Sequence, residues 1–234
     1  MLDFDGTLVD LAPTPDAIRV PDTLPRLLSQ LDTQSDGVTL ISGRAVEDLD
    51  RFLPDFPGSV YGSHGAEHRA RPGAEVVHAV EAEDLTEAHD ACDEIAEARD
   101  GLICEHKPMG AVLHYRQEPQ EASYVSAQMQ QVADGLETFD LHQSKMALEL
   151  RPRGPSKGSA ARRIIHALPD AIVPVFAGDD RTDEEAIAVV NAAGGITIKI
   201  GEGETAAQHR LPTPAAVHQW LSSWAEGEAA CLAV

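Results

Sequence analysis

Apolar positions near the start of the chain alternate between helical spacing and short continuous runs. Leucines recur at helical spacing from about Asp22 onward, and this pattern predicts an amphipathic helix. The apolar run Gly37–Ile41 and the later pair Val60-Tyr61 are typical of short buried strands. Between them, the segment Ala45–Leu53 predicts a second helix. Strands that alternate with helices indicate a parallel sheet with helices on its faces.

The pattern changes in the middle of the chain. This stretch predicts two helices and several short strands joined by tight turns, which is typical of an antiparallel α+β unit. The predicted strands are Glu75–Val80, Leu102–Lys107, Ala111–Arg116, Phe139–His142 and Met146–Leu150, and the predicted helices are Asp84–Arg99 and Pro119–Ala133. We therefore expect residues 71–153 to form a second domain that is inserted into the first.

Alternation of helix and strand returns after this insertion. The predicted elements are a helix near Ser156, strands at Ile172–Phe176 and Gly195–Ile200, and a last helix that begins at Thr213-Pro214. Thr182 with Glu185 predicts a capping box at the start of another helix. The expected fold is thus α/β, with a parallel-sheet, Rossmann-like core formed by residues 1–70 and 154–234 and an inserted α+β cap domain at 71–153.

The composition of the chain argues against some classes of binding partner. The chain has 234 residues, is 43% hydrophobic and carries a formal net charge of −21, so it can bury a core but lacks the basic surface that attracts nucleic acids and anionic membranes. No apolar run approaches the roughly 18 residues of a membrane helix, and no signal segment precedes the first strand. Cys92, Cys104 and Cys231 are widely spaced, which indicates neither a disulfide framework nor a zinc site. We expect a cytoplasmic monomer with reduced thiols.

Two carboxylates, Asp3 and Asp5, end the first apolar segment. Because alternate side chains of a strand share a face, both can project into one space, and crowded carboxylates persist where a proton or a cation lies between them. Aspartate followed by glycine is equally typical of an ordinary turn. A second acidic cluster, with Asp179, Asp180 and Asp183, follows another apolar run and favours a binding site over a turn.

Phosphate chemistry would need hydrogen-bond donors beside these carboxylates, because a transferring phosphoryl group carries charge on its equatorial oxygens. Ser42 and Gly43 follow the second strand, and Lys157 opens a helix. All three fall at the carboxyl ends of the predicted strands, where ligand sites lie in parallel sheets. Ser42-Gly43 is equally compatible with a simple helix start, and Lys157 with a solvated lysine. A cation opposes the dipole at a helix start, which favours a functional role for Lys157.

The insertion carries a polar face on two strands that are joined by a tight turn. Alternation puts Glu105 and Lys107 on one face of the first strand, and His114 with Arg116 on one face of the second. Such a face can bind the hydroxyl groups of a sugar. It is also typical of the solvated side of an antiparallel sheet.

The core motifs, in this order, resemble the haloacid dehalogenase superfamily of phosphatases. The resemblance implies that Asp3 is the nucleophile, which forms an aspartyl phosphate, and that Asp5 is the general acid and base. It implies Mg²⁺ as the cofactor, held by carboxylate and carbonyl oxygens. The metal ligands that it implies are Asp3, the Asp5 backbone carbonyl and Asp179. Asp180 and Asp183 would support these ligands from behind. Lys157, Ser42 and Gly43 would hold the phosphoryl group.

A narrower resemblance, to the trehalose-6-phosphate phosphatase family, rests on longer motifs. These are Ser42-Gly43-Arg44, residues 62–67, the E-x-K and H-Y-R strands, the E-L-R-P segment before S-K-G, and residues 178–184. The resemblance implies a mobile cap and hydrolysis of trehalose 6-phosphate to trehalose and phosphate. The substrate-binding residues that it implies are Ser42, Gly43, Arg44, His64, Glu67, Glu105, Lys107, His114, Arg116, Glu149 and Arg151. It also implies a longer first strand than Met1 and Leu2 provide, so we expect a protein that begins here to lose core stability.

The sequence alone is compatible with several functions. A phosphatase for sucrose 6-phosphate, mannosyl-3-phosphoglycerate or another phosphosugar would use the same chemistry. A non-catalytic module would bind the sugar phosphate, and a phosphotransferase or mutase would pass the phosphoryl group to another acceptor. The complete set of Asp3, Asp5, Lys157 and Asp179 favours an enzyme over a binding module.

Overall fold

A computed structural model describes residues 1–144 and 146–227 of the chain, so that Cys231 lies outside the described residues. The chain divides into two compact units. The core unit comprises residues 1–77 and those from 156 onward, and the inserted unit comprises residues 78–155. Residues 71–77, which we expected in the insertion, thus belong to the core unit.

The predicted helices and strands are present in the predicted order, with shifts at their ends, and two strands were not predicted. The helices are α1 (Leu24–Gln34), α2 (Val46–Phe52), α3 (Ala82–Glu97), α4 (Ala122–Gly135), α5 (Lys157–Ala167), α6 (Asp183–Ala192) and α7 (Pro214–Ala225). The strands are β1 (Thr39–Ile41), β2 (Ser59–Gly62), β3 (Glu67–Arg69), β4 (Val76–His78), β5 (Ile103–Lys107), β6 (Gly110–His114), β7 (Phe139–Ser144), β8 (Ala147–Pro152), β9 (Val175–Gly178), β10 (Ile196–Ile200) and β11 (His209–Leu211). Among the described residues, no helix is long and apolar enough to span a membrane.

The core unit is built on one mostly parallel sheet, which confirms the predicted fold class. The opening residues join its two halves, because Leu2 forms parallel bridges to both Leu40 and Ala177. The resulting order is β11-β10-β9, then residues 1–3, then β1-β2-β3-β4, and β3 runs antiparallel to β2. The sequence pattern does not predict β3 and β11, because their residues are mostly polar and form no apolar run. The strand expected to open the insertion is β4, which lies beside β3 in this sheet.

Helices cover both faces of the core sheet. Leu40 belongs to a buried cluster with Leu28 of α1 and Trp220 of α7, whereas its neighbour Ile41 belongs to a second cluster with Ile187 of α6. This alternation is what a strand buried on both faces requires. Burying one large apolar side chain stabilises the folded state by about 1.5–3 kcal/mol. The two clusters therefore fix the position of this strand in the core.

The inserted unit is an antiparallel sheet with two helices. Its strand order is β5-β6-β8-β7, and α3 and α4 pack against the face that carries Leu113, Leu148 and Leu150. We predicted a strand that extends to Arg116, but β6 ends at His114. Arg116 therefore lies in the following turn.

Candidate active site

Asp3 lies at the centre of the core sheet, at the end of the opening segment. Its amide donates to the Ala177 carbonyl at 2.9 Å, Thr7 Oγ1 donates to its Oδ2 at 3.2 Å, and the residue is only 3% exposed. Gly6 makes the turn that follows, with φ of +74°, and a Cβ there would lie 2.2 Å from Asp179 Oδ2. Glycine at position 6 therefore allows the two acidic segments to meet.

Lys157 is the first residue of α5. Ser156 caps this helix in a capping box, with its Oγ accepting the Ser159 amide. Lys157 Nζ donates to Asp3 Oδ1 and to Asp183 Oδ1, both at 2.7 Å, and 3% of its side chain is exposed. Burial alone would lower the pKa of Lys157, but the two carboxylates raise it above its usual value. The lysine is a buried cation, not a solvated residue of the first turn.

Asp183 and Asp180 shape the loop after β9. Asp183 is fully buried, and its Oδ2 accepts the amides of Asp179 and Asp180, each at 3.0 Å. Asp180 Oδ1 accepts the amides of Thr182 and Asp183 and the Thr182 hydroxyl, so it caps the first turn of α6. The predicted capping box of Thr182 with Glu185 is wrong, because the Thr182 hydroxyl donates to Asp180 and makes no cap.

Asp3, Asp179 and Asp183 form a compact acidic cluster. One carboxylate oxygen of each lies within 4.8 Å of the other two. Burial, together with neighbouring carboxylates, raises the pKa of Asp3 and of Asp179 to about 6. The Asp3 and Asp179 carboxylates lie close together, and such a pair needs a proton or a cation between them. The donor set of hard oxygens therefore fits a divalent cation such as Mg²⁺.

The Asp5 side chain is directed to Arg44 and is not grouped with the acidic cluster. Arg44 Nε and Nη2 donate to its two carboxylate oxygens at 2.6 and 2.7 Å. The guanidinium also stacks on Phe52, with Cζ 5.0 Å from the ring centroid. Charge-assisted bidentate pairs are strong and fix orientation. The carboxylates of Asp3 and Asp5 thus have separate partners, although we expected both in one space.

Ser42 and Gly43 follow β1, and His64 lies against them. Ser42 is 1% exposed, and its carbonyl accepts the His64 amide at 2.9 Å. A Cβ at Gly43 would lie 2.8 Å from His64 Cε1, so glycine leaves room for the ring. His64 has a φ of +56°, an uncommon conformation for a residue with a side chain. The structure therefore brings these three predicted site residues together.

Glu67 lies in β3 beside the same loop, with an exposed fraction of 5%. Its Oε2 accepts the Ser63 hydroxyl at 2.6 Å and the Val46 amide at 3.2 Å, at the start of α2. These contacts hold the backbone that carries Arg44 and His64. The structure shows Glu67 as a carboxylate that positions its neighbours.

The predicted substrate residues of the inserted unit share one sheet face, apart from Arg116. Register pairs Glu105 with Val112 and Val112 with Glu149, and cross-strand partners point to the same side. By alternation this face carries Glu105, Lys107, His114, Glu149 and Arg151.

The charged groups on this face pair with one another. Glu105 lies 2.5 Å from Lys107 Nζ and 2.8 Å from His114 Nε2, and Glu149 lies 2.5 Å from Arg151 Nη2. Partial burial opposes ionisation, but hydrogen bonds from Lys107 and His114 lower the pKa of Glu105. The exposed Arg116 is in the turn outside this face.

Lys199 and Thr7 belong to the core site but were not predicted. Lys199, on β10, is 5% exposed and donates from Nζ to the Asp179 carbonyl. A lysine within the apolar run Gly195–Ile200, in a chain that has four lysines, is the sequence signal that marks it. Thr7 has no comparable signal, since its bond to Asp3 depends on the turn between them.

Relatives of known function match nearly the whole chain. A family described as trehalose-phosphatase matches residues 1–214. The trehalose-6-phosphate phosphatase of Escherichia coli (strain K12) is 38% identical over 225 residues, which cover 94% of this chain and 83% of that protein. A probable trehalose-phosphate phosphatase of Sinorhizobium fredii (strain NBRC 101917 / NGR234) is 33% identical over 203 residues, covering 86% of this chain and 76% of that protein.

Solved structures of other proteins share the fold of this chain. The crystal structure of a trehalose-6-phosphate phosphatase related protein has a TM-score of 0.77 at 26% identity and covers 96% of both chains. A phosphatase of the haloalkanoate (HAD) enzyme superfamily from Bacteroides thetaiotaomicron has a TM-score of 0.60 at 17% identity, covering 97% of this chain and 93% of that one. The fold is that of this superfamily, as expected, and the chain is a phosphatase that belongs to the trehalose-phosphatase family.

Proposed function

We propose that this chain hydrolyses trehalose 6-phosphate to trehalose and phosphate, with Mg²⁺, through an aspartyl phosphate on Asp3. The observation that carries the proposal is the buried arrangement of Asp3, Lys157 and Asp183 beside Asp179. It occurs in a chain that is 38% identical to the trehalose-6-phosphate phosphatase of E. coli.

Asp3 supplies the nucleophile. Lys157 holds one of its carboxylate oxygens and Thr7 the other, so the group is oriented before substrate binds. A carboxylate oxygen attacks phosphorus, and the bond from phosphorus to the sugar oxygen breaks. The Ser42 hydroxyl, the Gly43 amide and the Lys157 ammonium stabilise charge on the phosphoryl oxygens.

The acidic cluster supplies the metal ligands. Asp3, Asp179 and the Asp5 backbone carbonyl would hold Mg²⁺, with Asp180 and Asp183 fixing the loop behind them. When bound, the ion would neutralise charge on the phosphoryl oxygens.

Asp5 transfers protons. It protonates the departing sugar oxygen and then accepts a proton from the water that hydrolyses the acyl phosphate. Both carboxylate oxygens of Asp5 are occupied by Arg44. One oxygen must carry a proton to the sugar oxygen in the first step, so we infer that Arg44 releases that oxygen during the cycle.

The polar face of the inserted unit binds the sugar in this proposal. Glu105, Lys107 and Glu149 hold the hydroxyl groups of the distal glucose, with His114, Arg116 and Arg151 nearer the phosphate-bearing sugar. Glucose hydroxyls both donate and accept hydrogen bonds, and the alternation of carboxylates with cations on this face suits both roles.

The test is phosphate release from a panel of phosphosugars by the purified chain with Mg²⁺. We expect the highest kcat/KM with trehalose 6-phosphate, no release after the metal is chelated, and a protein-bound phosphate in rapid-quench samples that Asp3→Asn lacks. Absence of release from trehalose 6-phosphate would overturn the proposal. A higher kcat/KM with sucrose 6-phosphate or mannosyl-3-phosphoglycerate would replace the substrate and keep the chemistry.

A further inference from the structure

A second group of metal-ligating side chains lies in the inserted unit, on the face of β5 opposite to Glu105. Cys104 and His106 alternate with Glu105 along this strand, and α3 packs against them. One ligand atom each from Asp93, Cys104 and His106 lies within 4.8 Å of the other two. Three donors thus converge, two from the strand and one from the helix packed on it.

The His106 ring is held in place by its neighbours. Its Nε2 lies 2.9 Å from Asp93 Oδ2, and the ring stacks on His89 with centroids 4.1 Å apart and planes 4° apart. His89 Nε2 lies 2.8 Å from the Gly110 carbonyl and 3.1 Å from the Lys107 carbonyl, so it donates to both and is itself fixed. Supporting contacts of this kind orient metal-binding histidines.

We propose that Asp93, Cys104 and His106 bind one zinc ion or another divalent transition metal of similar softness. A thiolate, an imidazole and a carboxylate are donors that Zn²⁺ takes in tetrahedral geometry. Binding forms one metal–sulfur bond and releases the thiol proton to water. Three protein ligands leave the fourth position to a water, and the ion would tie the edge strand β5 to α3.

The surroundings allow an ion to enter. Side-chain exposure is 49% for His106 and 44% for Asp93, whereas Cys104 lies deeper. The spacing of the cysteines matches no zinc motif, because the site depends on a helix packing on a strand. This explains why the sequence alone indicated no zinc site.

Cobalt is the probe that separates this site from the acidic cluster of the core unit. The whole chain, reduced and freed of transition metals, is titrated with Co²⁺ in excess Mg²⁺. We expect one equivalent to produce thiolate-to-cobalt charge-transfer absorption and the d–d bands of a tetrahedral ion, and Zn²⁺ to remove both. Carboxylates alone give no thiolate charge transfer, so its absence would overturn the proposal.

Single substitutions assign the ligands. Cys104→Ser should abolish the charge-transfer band, and Asp93→Asn and His106→Gln, at partly exposed positions, should weaken Co²⁺ binding by at least about tenfold. Cys231→Ser is the control and should leave the spectrum unchanged. A band that survives Cys104→Ser, or that disappears in Cys231→Ser, would overturn the proposal. If Cys104→Ser does not fold, unchanged affinity in both Asp93→Asn and His106→Gln would overturn the proposal.

Discussion

The charged residues of the core site and of the polar face in the inserted unit differ in how deeply they are buried. In the core unit Lys157 bridges Asp3 and Asp183, and at most 4% of any of these side chains is exposed. In the inserted unit Glu105 pairs with Lys107, and more than two-fifths of each side chain is exposed, at 44% and 43%. Buried charges depend on every partner, because their desolvation is costly, whereas exposed pairs contribute little. The buried group keeps its side chains in one arrangement, which suits catalysis. The exposed side chains can exchange their ion pairs for hydrogen bonds to a ligand, which suits ligand binding.

Asp3→Asn should produce the largest change. The amide keeps the shape of the side chain but is a poor nucleophile, so we expect kcat to fall by more than about a thousandfold. Phosphate release measures the loss, and circular dichroism with thermal unfolding shows that the fold is retained. Asp10→Asn, at an exposed position nearby, is the matched control and should keep full activity. Turnover in Asp3→Asn close to that of the control would remove Asp3 from the chemistry.

Lys157→Met and Lys107→Met test the contrast between buried and exposed pairs directly. Lys157→Met leaves two buried carboxylates without their cation, so we expect the free energy of unfolding to fall by about 3–5 kcal/mol. Lys107→Met removes one exposed partner and should change it by less than about 1 kcal/mol. Denaturant unfolding of both variants at neutral pH measures the difference. Equal losses in the two variants would contradict the contrast.

Arg44→Lys tests whether the buried contacts orient the chemistry. Lysine cannot form the bidentate pair with Asp5, so we expect kcat to fall by about ten- to a hundredfold with little change in KM. Arg51→Lys is the control, because Arg51 makes exposed pairs with Asp16 and Asp48. A rise in KM at unchanged kcat would instead make Arg44 a substrate contact, which is the role that the family resemblance implies.

Local patterns predicted where the candidate residues of the core site lie in the fold. Asp3, Ser42, Lys157 and Asp179 each follow an apolar run or open a helix, and that short-range signal is enough to place them at the ends of strands. Contacts between distant segments were not predictable in the same way. The bond from Lys199 to the Asp179 carbonyl exists only because β10 lies beside β9. The capping box at Thr182 failed because Asp180, two residues earlier, accepts both the amide and the hydroxyl of Thr182 that the box would use.

In the inserted unit the sequence predicted the faces of strands better than their ends. Alternation grouped Glu105 and Lys107 correctly on one face. It could not show that β6 ends at His114, which leaves Arg116 in the turn. Nor could it show that α3 brings Asp93 to the other face of β5, because helix packing depends on the whole unit.

Glu105→Gln should produce the smallest structural change and is the sharpest test of the exposed face. Glutamine keeps the size of the side chain but loses the charge that attracts Lys107 and His114. Because these pairs are exposed, we expect the free energy of unfolding to change by less than about 1 kcal/mol. If the face binds sugar hydroxyls, KM for trehalose 6-phosphate should rise several-fold while kcat stays nearly unchanged, since the lost contact is made equally in the ground state and the transition state. Glu97→Gln, exposed at the end of α3, controls for the change in net charge. A KM equal to that of the Glu97→Gln control would identify the face as the solvated side of an antiparallel sheet, and sugar recognition would then have to come from other residues.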